Sequence, residues 1–201
     1  ADELLIAKWV IRNLAWRVGL NVTFAPKITT GKAGSGLHIH MRLMKDGRNM
    51  LLTRGKLNDN ARKAIAGCIE LAPSLTAFSN KIPTSYFRLV PHQEAPTNIC
   101  WGMSNRSALV RVPLGWTSGV DMSHVANPLE QEVPYEERGS VKQTFEIRSG
   151  DGSADVYQYI AALCVACRHG FEMDNALELA ERTFVDGDIN DPAHAERLAQ
   201  L

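Results

Sequence analysis

Residues 34–43 read GSGLHIHMRL, and read as a strand with side chains alternating by two they place His38, His40 and Arg42 on one face and Leu37, Ile39, Met41 and Leu43 on the other. Neutral imidazole ligates metals, whereas protonated imidazole and guanidinium hold anionic oxygen. A second segment, KQTFEIR, alternates in the same way, with Phe145 and Ile147 on one side and Lys142, Thr144, Glu146 and Arg148 on the other. Arg88, Glu94, Arg106 and Arg111 complete a set of arginines, carboxylates and paired histidines. Taken singly, each arginine is an ordinary surface charge. Together they are what phosphoryl transfer requires: metal ions bridging phosphate oxygens and guanidinium groups neutralising the charge that develops.

These groups need elements to hold them. Leu5, Ile6, Trp9, Val10, Leu14 and Val18 recur at helical spacing over residues 2–18, and predict an amphipathic helix whose tryptophans lie in the core. NVTFAP is expected to be a strand ended by Pro26, and TTGKAGSG a glycine-rich loop into the histidine strand. KDGRN is a turn, and a helical region from about Asp59 to Phe78 is expected to kink or split at Pro73. KIPTSYFRLVPHQEAPTNICWG is loop-rich and too polar for a mere connector. SALVRVP is a strand and GWTSGVDMSHVANPLEQEVPYEERGS a long excursion. After KQTFEIR, SGDGSAD turns into a helix over residues 154–170, and DNALELAERTF and DPAHAERLAQ are short surface helices. Arg106 and Arg111, five residues apart, fall on opposite faces of one strand unless Arg106 lies in the preceding turn, which Asn105 and Ser107 favour. The fold class expected is α+β: a mainly antiparallel sheet whose charged face lines the site and whose other face packs on helices.

With 201 residues, 45% of them hydrophobic, the chain suits one compact unit. Its 22 basic and 22 acidic residues balance, so no global field recruits nucleic acid or an anionic membrane. No apolar run is long enough to span a bilayer. Cys68, Cys100, Cys164 and Cys167 do not form a zinc cage, and core packing of Cys164 and Cys167 in a reducing, cytoplasmic setting is the expectation.

GSGLHIHMRL, TSYFRLVPHQEAP, NRSALVRVP and FEIRSGDGSADVYQYIAAL stand in the order and near the spacing of signature blocks in the catalytic domain of bacterial-type glutamine synthetase, which the chain resembles over about residues 2–172. The resemblance implies ATP and glutamate as substrates, ammonia or another amine as acceptor, and Mg2+ or Mn2+ as cofactor. It implies His38 and Glu146 as metal ligands and His40 near the nucleotide phosphates. Arg88 then holds the glutamate carboxylate, and Gly34 borders the glutamate. Glu94 is the flap residue that closes the site and helps deprotonate ammonium. Arg106 and Arg111 serve the phosphates, Arg106 in catalysis and Arg111 also toward substrate, and Arg148 contacts substrate. Replacing Glu146 is expected to cost metal affinity while leaving the fold intact. The family forms homo-oligomeric rings.

Three positions depart from the family pattern. Thr144 replaces an arginine, Ala33 an asparagine, and Arg42 a small hydroxyl residue, so a relative joining glutamate to a polyamine or other amine is the alternative. A zinc hydrolase built on His-x-His is the alternative of another class, and needs a third ligand. The family's amino-terminal domain and upstream metal-site strands precede the helix that opens this sequence. The chain therefore reads as a partial catalytic domain over 1–201, inactive by itself.

Overall fold

The computed structural model describes residues 1–113, 142–195 and 197–200. The predicted excursion over residues 115–140 lies outside them.

Short strands follow the opening helix α1 (Asp2–Arg17): β1 (Ile39–Met41), the hairpin β2 (Met44–Lys45) and β3 (Arg48–Asn49), and the hairpin β4 (Leu52–Thr53) and β5 (Lys56–Leu57). The hairpin turns place Asp46 and Gly47, then Arg54 and Gly55, at positive φ, the backbone that a two-residue type I′ connection demands. Asn58 caps α2 (Asp59–Glu70) by accepting from the amide of Ala61. The predicted split occurs at α3 (Ala72–Ser79), where Pro73 occupies the first turn and its missing N–H costs nothing. A short α4 (Pro83–Tyr86) leads to β6 (Asn98–Met103) and β7 (Ala108–Val112). Then come β8 (Phe145–Ile147), α5 (Val156–Glu172), α6 (Ala176–Arg182), α7 (Pro192–Ala195) and β9 (Ala199–Gln200).

The main sheet has the order β1-β8-β7-β6-β9, antiparallel throughout except for the parallel β6/β7 pair. One face is apolar because Phe145, Ile147, Val110 and Val112 alternate onto it, and α2, α5 and α6 cover it with Ile65, Ile69, Leu163, Tyr159 and Leu179. The fold is thus α+β, with a mainly antiparallel sheet packed on helices.

Helices α2 and α5 approach closely at two glycines. A Cβ on Gly170 would overlap the carbonyl oxygen of Lys63, and one on Gly67 the carbonyl of Ala166. Alanine is worth about 1 kcal/mol more than glycine in a helix interior, but forcing packed backbones apart costs about 1–3 kcal/mol or more. Gly170→Ala is therefore expected to lower the urea midpoint, and an unchanged or raised midpoint would mean that the helices do not meet there.

Several expectations are corrected. No residue of α1 is buried: Trp9 is 65% and Trp16 78% exposed, and what holds the helix is polar, including Lys8 Nζ donating to the Gly152 carbonyl at 2.8 Å. Lys8 and Arg12 also stand over the Phe24 ring. NVTFAP forms no strand. NICWG, inside the stretch expected to be loop, forms most of β6, with Cys100 and Trp101 buried. Cys164 is exposed, whereas Cys167 packs against Cys68 with sulfur atoms 3.8 Å apart. The segment DNALELAERTF is not a surface helix only, since Ala176, Leu179 and Ala180 enter the core.

Candidate active site

Strand register builds the centre of the site. His40 pairs across β1/β8 with Glu146, and Glu146 pairs across β8/β7 with Arg111, so three neighbouring strands set imidazole, carboxylate and guanidinium in one row on the polar face. His40 Nε2 is 2.6 Å from Glu146 Oε2, and Arg111 Nε contacts Oε1. Period-two alternation adds His38 and Arg148 to the same face. His38 Nδ1 lies 4.0 Å from Oε2 and Arg148 Nε 3.5 Å from Oε1. Glu146 is completely buried, so four basic side chains converge on one carboxylate shielded from water.

Arg148 is also buried and organises backbone. It donates to the carbonyls of Arg106, of Ala108 at 3.2 Å and of Glu94 at 3.3 Å. Burial, and next the charge of Arg111, lowers its pKa to about 10, which leaves it charged at neutral pH. His38 is pushed down to about 4, first by burial and then by Arg148, against the opposing pull of Glu146. Its imidazole is neutral at pH 7, with a lone pair available to a metal. His40 receives a further partner at Nδ1, the Thr144 hydroxyl at 3.1 Å.

Arg88 enters from the loop after α4. Its Nη1 donates to the Ser149 carbonyl at 2.8 Å and its Nη2 to that of Arg148 at 3.0 Å. Those carbonyls are held by a buried knot the sequence did not reveal as such: Asn80 donates to the Ser149 carbonyl and to Asp151 Oδ2, both at 2.9 Å, and Asp151 Oδ1 accepts from Ser153. The glycines of GSG are there for close approach. A Cβ on Gly34 would overlap the Pro26 carbonyl, and one on Gly36 would overlap Arg88 Nη2.

The polar face opens into a cleft of about 750 Å3 lined by Gly34, Gly36, His38, Arg88, Glu94, Arg106, Arg111 and Arg148. His40 reaches it only through Glu146. Arg106 lies in the turn before β7 and shares the cleft with Arg111, which resolves their spacing of five. His92, Gln93, Thr97, Ser107 and Asn190 also line it, none singled out by sequence. The Asp, Asn, Gly and Pro of DGDINDP announce a loop around Asn190. Nothing local announces that this loop returns to the cleft.

The donor chemistry suits a divalent cation in part. Both carboxylate oxygens of Glu146 are buried without a hydrogen bond of good geometry, and His38 is neutral beside them. Among the described residues no group of three His, Cys, Asp or Glu could hold a metal, so His38 and Glu146 would supply two ligands at most.

A buried carboxylate inside a ring of guanidinium and imidazole groups, beside a glycine-rich loop, makes a cleft whose donors suit phosphate and carboxylate oxygens. The family profile described as glutamine synthetase, catalytic domain, matches residues 1–201. The glutamine synthetase of Streptomyces filamentosus is 35% identical over 199 residues, 98% of this chain and 37% of the relative. That of Mycolicibacterium smegmatis is 46% identical over 117 residues, 57% of this chain and 24% of the relative. Among solved structures, Plasmodium falciparum glutamine synthetase superposes with a TM-score of 0.69 at 25% identity, over 85% of this chain and 30% of that one. A crystal structure described as a novel glutamine synthase homolog gives 0.70 at 26% identity, over 85% of this chain and 37% of that one. The chain belongs to the glutamine synthetase catalytic-domain family, and spans little more than a third of the curated relatives it matches along nearly all its own length. No helix among the described residues is long and apolar enough to cross a membrane.

Proposed function

We propose that this chain carries part of the active site of an ATP-dependent carboxylate–amine ligase, a glutamine synthetase that joins ammonia to glutamate through γ-glutamyl phosphate. The observation that carries the reading is the cross-strand row His40–Glu146–Arg111, whose Arg111 lines the cleft together with the flanking His38 and Arg148. A glutamate side chain is a poor electrophile, so ATP first phosphorylates its γ-carboxylate. The amine then attacks the γ-carbon and phosphate leaves.

Each residue has a part in that sequence. Arg106 and Arg111 face the transferring phosphoryl group and stabilise its developing charge. His40 stands on the nucleotide side, its two ring nitrogens on Thr144 and Glu146, and acts there by holding the Glu146 carboxylate in place. Arg88 and Arg148, beside Gly34, receive the glutamate carboxylates. Arg148 also fixes the backbone of Glu94, whose carboxylate covers the cleft and takes a proton from the incoming ammonium. His38 and Glu146 would hold a divalent ion, Mg2+ or Mn2+, which would supply charge neutralisation during phosphoryl transfer. A zinc hydrolase is not favoured, because the groups around His38 are arginines and one carboxylate.

Thr144 bonded to His40, at a position where an arginine is usual in the family, supports a second reading in which another amine is the acceptor. Assembly into a cytoplasmic homo-oligomer, without nucleic acid or membrane, is part of the proposal for the complete enzyme. ATP-dependent amide formation from glutamate with ammonia and a panel of polyamines tests it. Ammonia is expected to be the best acceptor. Activity with none of the amines would overturn the reading. The 201-residue chain alone is expected to be silent in the same assay, because its described donors are too few to hold the ions that phosphoryl transfer requires.

A further inference from the structure

Lys27 is a buried lysine that the proposed chemistry does not use. It is 7% exposed, and among the described residues it forms no ion pair. A lysine so placed must satisfy its ammonium with strong acceptors. Lys27 Nζ donates to two neutral ones: the main-chain carbonyl of Lys32, in the glycine-rich loop, and Oε1 of Gln93. The acceptors belong to segments 66 residues apart in the case of Gln93, so one ammonium ties two loops together.

The second loop needs tying. Gln93 stands between His92 and Glu94, both at φ 60°, a backbone region that residues with a side chain adopt only when their surroundings impose it. One restraint is the Arg148 guanidinium on the Glu94 carbonyl. Lys27 on the Gln93 side chain is another. Gly34, Gln93 and Glu94 line the same cleft, so whatever fixes the glycine-rich loop against residues 92–94 fixes one wall of the site. An ammonium suits the task. Its three donors reach diverging acceptors, and charge-assisted bonds are about twice as strong as neutral ones.

We propose that Lys27 is a positioning residue that clamps the glycine-rich loop to the segment bearing Glu94, and so keeps water from the acyl phosphate. The water-exclusion part rests on the proposed glutamate activation; the clamp itself does not. In the productive step the amine nitrogen attacks the γ-carbon, the bond from that carbon to the phosphate oxygen breaks, and phosphate leaves with amide formed. In the leak, water attacks the same carbon and the same bond breaks. Glutamate re-forms, and the net reaction is hydrolysis of ATP to ADP and phosphate.

The test uses the complete enzyme with Lys27→Met, Gln93→Leu and the double variant. Hydrogen exchange of residues 92–95 is expected to quicken about tenfold in each, the size that fits loss of one charge-assisted hydrogen bond. Phosphate released per amide formed is expected to rise from one by a comparable factor, with the KM for ATP little changed. The double variant is expected to do no more than Lys27→Met, because that change already removes the bond to Gln93. Unchanged exchange overturns the clamp. Faster exchange with an unchanged phosphate-to-amide ratio overturns its role in excluding water. A wild-type enzyme that makes no amide, with exchange still quickened in the variants, upholds the clamp and rejects the ligase reading. If Lys27→Met does not fold, Gln93→Leu decides alone, since it leaves the ammonium and the Lys32 contact in place.

Discussion

Glu146→Gln in the complete enzyme is expected to reduce kcat/KM at least about a thousandfold, ~4 kcal/mol of transition-state stabilisation, and to weaken divalent-metal binding. Glutamine keeps the shape but loses the charge on which four basic groups converge. The substitution also bears on the fold, contrary to what strand alternation alone suggests. Glu146 is fully buried and Arg148 nearly so, and removing one member of a buried ion pair costs about 3–5 kcal/mol. Arg111 is 23% exposed and keeps some solvation in the cleft, which puts the expected loss at the lower end. Glu146→Ala, which leaves a void as well, is expected to be less stable than Glu146→Gln. Metal titration and urea unfolding on both variants check these outcomes. Wild-type metal affinity and turnover in Glu146→Gln would remove this carboxylate from the site.

Arg148→Lys is expected to be nearly as damaging. A guanidinium reaches the carbonyls of Arg106, Ala108 and Glu94 while facing the Glu146 carboxylate, and one ammonium cannot serve all four. The three carbonyls then compete for fewer donors, and that of Ala108, which is buried, costs about 1–3 kcal/mol if left unsatisfied. Because one carbonyl belongs to Glu94, the variant is expected to lose turnover by about 10²-fold or more through misplacement of that residue. It is also expected to unfold at lower urea. Steady-state kinetics with glutamate and ATP varied separately, together with unfolding, distinguish the two contributions. Full activity in a destabilised protein would make Arg148 a scaffold residue only.

Much of this site was legible because it is built on strands. Alternation put His38 with His40 and Glu146 with Arg148, and each pair stayed on one face. What alternation cannot supply is register, which decides that His40 and Arg111 flank Glu146 rather than a neighbour. Nor does it give depth. Lys142 and Glu146 share a face in sequence, yet Glu146 is wholly buried while Lys142 is exposed.

Turn chemistry was the most reliable local signal. Asp46-Gly47 made its hairpin, and Pro73 divided α2 from α3. Apolar spacing marked α1 as a helix correctly but not its surroundings, since periodicity reports a face and not whether the described chain covers it. NICWG was hidden by the prolines before it, although Ile, Cys and Trp are apt strand residues once β7 provides a partner. Lys27, Gln93 and Asp151 were missed for one common reason: their partners lie far away in sequence, and a single lysine, glutamine or aspartate carries no mark of that.

The central claim is that glutamate is activated by phosphorylation at this cleft, and oxygen tracing tests it most directly. The complete enzyme is given ATP, ammonia and glutamate labelled with ¹⁸O in its γ-carboxylate, and the inorganic phosphate released is examined by mass spectrometry. If the γ-carboxylate attacks the terminal phosphoryl group, one labelled oxygen passes to phosphate for each glutamine formed. Glutamine formation with unlabelled phosphate would contradict the mechanism, because the amine would then have displaced an oxygen that never joined phosphorus.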